Sequence, residues 1–106
     1  MKTLAIELPM DDIRIFCSKW RIRELAVFGS ILTDEFDDES DVDFMYVFED
    51  DARWNLLDIS RMRIDLSDIV GREIDFAGRR GIERMDNPYK RKAILCNFEV
   101  IYESRG

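Results

Sequence analysis

The stretch FGSILTDEFDDESDVDFMYVF, residues 28–48, decides the fold. Its last seven residues, VDFMYVF (42–48), have strand composition. Alternation places Asp43, Met45 and Val47 on one face and Val42, Phe44, Tyr46 and Phe48 on the other. An acid inside such a run is costly to bury without a partner, so Asp43 asks for one. Asp41, two positions earlier, aims at the same point if the strand begins by then. Two anions so placed repel, and the usual remedies are a shared proton or a divalent cation. Upstream, RELAVF (23–28) reads as a strand that Gly29-Ser30 interrupts, ILTDEF as a short helical turn, and DDES as a polar loop.

Outward from this segment, apolar residues at helical spacing (Ile13, Phe16, Cys17, Trp20) predict a helix opened by Pro9 and running to about Trp20. Asp11 and Asp12 sit favourably in its first turn. The stretch 51–70 carries Leu56, Ile59, Met62, Leu66 and Ile69 at intervals of three and four, a stripe that packs on a sheet, and Gly71 ends it. EIDFA (73–77) is a third strand, GRRGIERMD (78–86) a loop, and Asn87-Pro88 an N-cap and N1 pair for a final helix to about Cys96. EVIYE (99–103) closes the sheet. Strands interleaved with helices imply a small α/β (α+β) layer fold, and 106 residues imply one domain, 1–106.

Composition narrows the function. With 46% hydrophobic and 37% charged residues and few Pro and Gly, the chain is expected to be a well-folded soluble domain. A formal net charge of −7 opposes direct docking on nucleic acid or an anionic membrane. The absence of histidine removes His-based triads, most zinc sites and the commonest general base. Catalysis therefore falls to carboxylates and metals. No signal peptide or spanning segment is expected, which makes the cytoplasm the expected location. Cys17 and Cys96, far apart within apolar helical patterns, read as two buried reduced thiols.

Asp75 occupies the middle of a strand otherwise apolar at Ile74, Phe76 and Ala77, so it too needs a partner. If that strand lies beside 42–48, Asp41, Asp43 and Asp75 meet at one edge. Three carboxylates there could hold two cations about 3.5–4 Å apart, as in-line phosphoryl chemistry uses. Gly29-Ser30, between a strand and a helical turn, has the local form in which backbone N–H groups and a hydroxyl cradle phosphate oxygens. Asp34, Glu35, Asp37, Asp38 and Glu39 are most simply a solvated loop. An EF-hand starting at Asp37 fails, because it needs Gly where Val42 stands and Glu where Phe48 stands. Arg79, Arg80, Arg84, Lys90, Arg91 and Lys92 are expected to be solvated surface, the alternative being contact with phosphate or an acidic partner.

FGS (28–30), SDVDF (40–44) and REIDFA (72–77) together resemble the Gly-Ser, Asp-x-Asp and third-Asp pattern of the DNA polymerase beta-like nucleotidyltransferase superfamily, specifically its minimal nucleotidyltransferase (MNT) proteins. IRIFCSKWRIRELAVFGS and NPYKRKAILCNFEVIYE extend the likeness over nearly the whole chain. The resemblance implies a small mixed β-sheet with helices packed on it. It assigns Gly29 and Ser30 to nucleotide triphosphate binding, Asp41 and Asp43 to metal, and Asp75 to a second metal and the acceptor hydroxyl. The implied cofactors are two Mg²⁺ ions with ATP as substrate, and the implied partner is a HEPN-domain toxin, for which MNT proteins commonly act as antitoxins, some by transferring AMP to a tyrosine of that partner. Homo- or hetero-oligomeric state stays open. Many relatives carry an arginine in G-S-x-x-R, where this chain has Thr33, so triphosphate charge falls to metal and backbone. Two other readings remain: an antitoxin that masks its toxin by contact alone, and a generic acidic metal-binding domain.

Overall fold

The computed structural model describes residues 4–104. In chain order the elements are α1 (Met10–Lys19), β1 (Ile22–Phe28), a 3₁₀ turn (Gly29–Leu32), β2 (Val42–Phe48), α2 (Leu56–Val70), β3 (Ile74–Gly78), α3 (Arg79–Glu83), α4 (Pro88–Leu95) and β4 (Phe98–Glu103). The strands form one sheet in the order β3-β2-β1-β4. β1 runs antiparallel to both β2 and β4, while β2 and β3 are parallel. A parallel pair needs a crossover, and α2 supplies it. The mixed sheet expected from the resemblance is thus present.

Alternation along the strands sorts the core into two layers. Leu25, Val27, Val42, Phe44 and Ile74 pack with Ile13, Phe16 and Cys17 of α1 and Met62 and Leu66 of α2. On the other face Ala26, Phe28 and Met45 pack with Ile82 of α3 and Ile94 of α4. Asp43 shares the second face with Met45, so it looks toward the α3–α4 side. Among the described residues no polar or charged side chain is fully buried.

Three expectations are corrected. The helix expected from about 51 begins at Leu56, because Asn55 caps it in a reciprocal pair with Asp58. Residues 51–54 stay outside, with the Trp54 indole donating to Trp20 O at 2.9 Å and stacking edge-on against that ring. Leu56 therefore leaves the buried stripe and is 84% exposed. The stretch 78–86, expected to be a loop, contains α3, where burial of Ile82 outweighs a glycine in the turn. Cys96, expected buried, is exposed at the end of α4, where Ile94 takes the inward position, whereas Cys17 is buried as expected. Gly71 and Asn87 do terminate their helices as expected: Gly71 with φ 81° and Asn87 accepting from the Tyr89 and Lys90 N–H groups.

Candidate active site

The end of β1 and the start of β2 meet at one point. Phe28 is opposite Asp43 across the antiparallel pair, so Gly29 emerges beside the Asp43 carboxylate. Gly29 has φ 78°, a left-handed conformation that side chains rarely adopt. A Cβ there would overlap Asp43 Oδ2 and stand 3.3 Å from its Cγ. Two independent constraints thus require glycine at 29. The following 3₁₀ turn is closed by Thr33, whose N–H and hydroxyl both donate to Ser30 O at 2.9 Å. Thr33 braces the turn here and brings no charge to it. The Ser30 hydroxyl makes no hydrogen bond among the described residues and is half-buried.

On the other flank, the parallel register pairs Asp43 directly with Asp75, one strand spacing apart and on the same face. Their carboxyl groups lie within hydrogen-bonding reach. Burial, this contact and the like charges of Asp75 and Asp41 push the Asp43 carboxyl up to about 6, while Lys90 opposes the rise. Asp41 stands exposed at the mouth of β2, outside the strand proper. The structure thus brings Gly29, Asp43 and Asp75 together, with Ser30 next along the chain and Asp41 near enough for its charge to be felt. Among the described residues, no three acidic, cysteine or histidine side chains already enclose a cation position.

Sequence reasoning missed how the approach to β2 is held. Asp37 accepts from Glu39 N at 2.9 Å and from the Ser40 hydroxyl at 3.1 Å. Arg72, just before β3, donates to Asp37 O at 3.1 Å and Ser40 O at 2.8 Å and covers the Phe36 ring. The loop expected to be merely solvated is therefore tied to the strand that carries Asp75, and the tie ends one residue before Asp41. An arginine three residues before a strand acid was the available signal. The basic residues also differ from expectation: Arg91 is partly buried and donates to Met85 O at 2.6 Å, and Arg79 pairs with Glu24 and Glu83.

The donor set suits a hard divalent cation such as Mg²⁺. Two carboxylates set side by side repel each other and call for a proton or a cation, and oxygen-only ligation is what Mg²⁺ selects. A cavity of about 730 Å³ lies elsewhere, at the far ends of β2 and β3 around Tyr46, Phe48, Gly78 and Arg79. Its mixed charges are largely paired with one another, so the carboxylate site, where groups of one sign converge, is the better candidate for chemistry.

Comparison with known proteins agrees with this geometry. Residues 13–101 match the family described as "Nucleotidyltransferase domain". Two relatives from Methanocaldococcus jannaschii, "Putative protein adenylyltransferase MJ1379" and "Putative protein adenylyltransferase MJ1217", are each 29% identical over 96 residues, covering 89% of this chain and 93% of their own. A solved structure described as a "putative minimal nucleotidyltransferase" is 27% identical with a TM-score of 0.62, covering 88% of this chain and 87% of that one. A toxin-antitoxin crystal structure with AMP-PNP, 12% identical, shares the fold with a TM-score of 0.69, covering 92% of this chain and 76% of its own. With a family match across most of its length and the glycine turn and paired acids in place, the chain belongs to the nucleotidyltransferase domain family and is a nucleotidyltransferase.

Proposed function

We propose that this chain transfers AMP from ATP to a hydroxyl group, in a Mg²⁺-dependent reaction, and that the acceptor is a tyrosine of a HEPN-type toxin which it thereby neutralises. One observation carries the chemistry: the β2–β3 register sets Asp43 against Asp75 and the β1–β2 register sets Phe28 against Asp43, which leaves Gly29 beside its carboxylate, so a phosphate turn and an acid pair share one end of the sheet. The names of the Methanocaldococcus relatives support adenylyl transfer to protein. The toxin-antitoxin neighbours, one of them with AMP-PNP, support ATP and a toxin partner. The whole chain, 1–106, acts as one catalytic domain in the cytoplasm.

In this reading the Gly29 backbone and the Ser30 hydroxyl bind triphosphate oxygens. Asp41, Asp43 and Asp75 would hold two Mg²⁺ ions, with Asp75 also facing the acceptor. When bound, Mg²⁺ lowers the acceptor hydroxyl pKa and neutralises charge on the phosphates. Asp75 orients the acceptor hydroxyl and takes its proton. The hydroxyl oxygen bonds to the α-phosphorus, the bond from that phosphorus to the bridging oxygen breaks, and pyrophosphate leaves. Arg72 fixes the approach to Asp41 through its two backbone contacts.

Incubating the protein with a HEPN-type toxin chain, Mg²⁺ and α-labelled ATP tests this. Label should enter the partner, and should vanish with Asp41→Ala, Asp43→Ala or Asp75→Ala. A second reading, masking by contact alone, is favoured by Thr33 standing where relatives carry a cation. Toxin inhibition that survives Asp41→Ala and Asp43→Ala, with no label transferred, would select it.

A further inference from the structure

Asp41 is the one acid of the site that lies outside a strand, and nothing holds its side chain. Among the described residues its carboxylate accepts no hydrogen bond and forms no ion pair. Its backbone, by contrast, is bracketed. Ser40 O, just before it, accepts from Arg72 Nη1 at 2.8 Å, and Val42 N, just after it, donates to Glu73 O at 3.2 Å. The two partners are consecutive residues leading into β3, and Asp75 follows on that strand. The acid at the mouth of β2 and the acid of β3 are thus stitched to one stretch of chain.

Arg72 supplies the long reach of that bracket. The same nitrogen also donates to Asp37 O at 3.1 Å, and the guanidinium covers the Phe36 ring, 4.6 Å from its centroid. Its own backbone is anchored, because the Ser67 hydroxyl of α2 donates to Arg72 O at 2.7 Å. Asp34, Glu35, Asp37, Asp38 and Glu39 all belong to the segment that it grips, yet Arg72 forms no ion pair among the described residues. A guanidinium that passes over so many carboxylates for two carbonyls and a ring fixes backbone shape rather than balancing charge. Apart from it, the segment is ordered by its own short-range bonds, such as those of Asp37 with Glu39 and Ser40.

We infer that Arg72 is a positioning residue for the divalent cation of this site: it holds Asp41 where that acid can join Asp43 and Asp75 as a ligand, and so sets the affinity for the metal. The assignment rests on the metal-dependent reading above. Charge and positioning predict opposite signs here. Removing a positive charge bonded to the residue before Asp41 would, by electrostatics alone, tighten cation binding. Removing the bracket frees Asp41 from its place, and loss of a group that orients a metal ligand typically weakens metal binding roughly 10- to 100-fold.

The test is titration with Mn²⁺, an ion that takes the same oxygen ligands as Mg²⁺, read by the electron paramagnetic resonance of the free ion in the absence of nucleotide. It uses the intact chain, Arg72→Met, Arg72→Lys and Arg63→Met, and repeats Arg72→Met in an Asp41→Asn background. Arg72→Met should weaken Mn²⁺ binding roughly 10-fold or more. Arg63→Met, which removes the same charge and a bond to Ile74 O of the same strand, should stay within about threefold. In Asp41→Asn the further change Arg72→Met should cost less than about twofold, because the ligand that Arg72 places is already gone. Arg72→Lys keeps the charge without the planar contact on Phe36 and should fall between native and Arg72→Met; it carries the same comparison should Arg72→Met fail to melt cooperatively. Unchanged or tighter Mn²⁺ binding by the Arg72 variants, an equal loss in Arg63→Met, or an equal loss in the Asp41→Asn background would overturn the assignment while leaving the acid site intact. A native chain that binds no Mn²⁺ would overturn the cation site and this assignment together.

Discussion

At the scale of single residues, Gly29 and Asp43 constrain each other. Replacing Gly29 by alanine meets a left-handed backbone, which costs about 1–2 kcal/mol, and places a methyl group on the Asp43 carboxylate. Gly29→Ala should therefore melt several degrees lower, and, on the proposed reading, lose labelled-AMP transfer even where it remains folded. Asp43 itself stores electrostatic cost. Its folded pKa, about 6, lies above the ordinary 3.8, so the folded state favours the proton and stability is lost as pH rises between these values. The full cost is present above pH 6 and absent below about pH 4. The carboxyl is half-exposed, so solvent screening reduces the effect to about 1 kcal/mol. In EDTA, Asp43→Asn should thus be more stable than the native chain at pH 7–8 by about that amount and indistinguishable at pH 4. Thermal melts at the two pH values check it. Excess Mg²⁺ should narrow or reverse the difference, because a cation stabilises only the state that binds it.

At the scale of elements, caps and crossovers place the acids. α2 connects two parallel strands and so governs where β3, with Asp75, is laid down. Its start is set by the Asn55–Asp58 reciprocal cap. Asn55→Ala should lower stability by about 1 kcal/mol, measured by urea unfolding, with little change in helix content by far-UV circular dichroism. The edge strand β3 is also protected from stray pairing: Arg63 donates to Ile74 O at 3.3 Å, and the Ser67 hydroxyl to Arg72 O at 2.7 Å. Local signals foretold much of this level. VDFMYVF is a strand over the expected residues, Gly71 is a left-handed helix stop, and Asn87 caps α4, because each depends on alternation or on one residue's own backbone and side-chain chemistry. The start of α2 and the existence of α3 were not legible, because each turns on what a tryptophan or an isoleucine meets across the molecule: Trp54 on Trp20, Ile82 on the Met45 cluster.

At the scale of the whole molecule, helices cover both faces of the sheet, and the two cysteines report on that arrangement. Cys17 is fully buried between α1 and the sheet, and burial pushes its thiol up to about 12. Cys96 is exposed. A thiol reagent should consume one equivalent promptly from the native protein and the second only at the rate of unfolding, with both reacting at once in denaturant. Cys17→Ser should retain the first reaction and lose the second, while Cys96→Ser should do the reverse. Among the described residues no helix is long and apolar enough to cross a membrane.

Chain order alone was enough to single out Gly29, Ser30, Asp41, Asp43 and Asp75, because a glycine after a strand and acids inside apolar strands violate local preference and so stand out in a linear reading. It was also enough to place β2, the Gly71 stop and the Asn87 cap, which answer to neighbours within four residues. What it could not supply was proximity. That Asp75 falls opposite Asp43 and that Arg72 reaches back to Asp37 and Ser40 both follow from how the strands and loops come together in three dimensions. Those come with burying Val42, Phe44 and Ile74 under α2 on one face and Met45, Ile82 and Ile94 together on the other, interactions among residues far apart along the chain whose energy exists only once the layers have met.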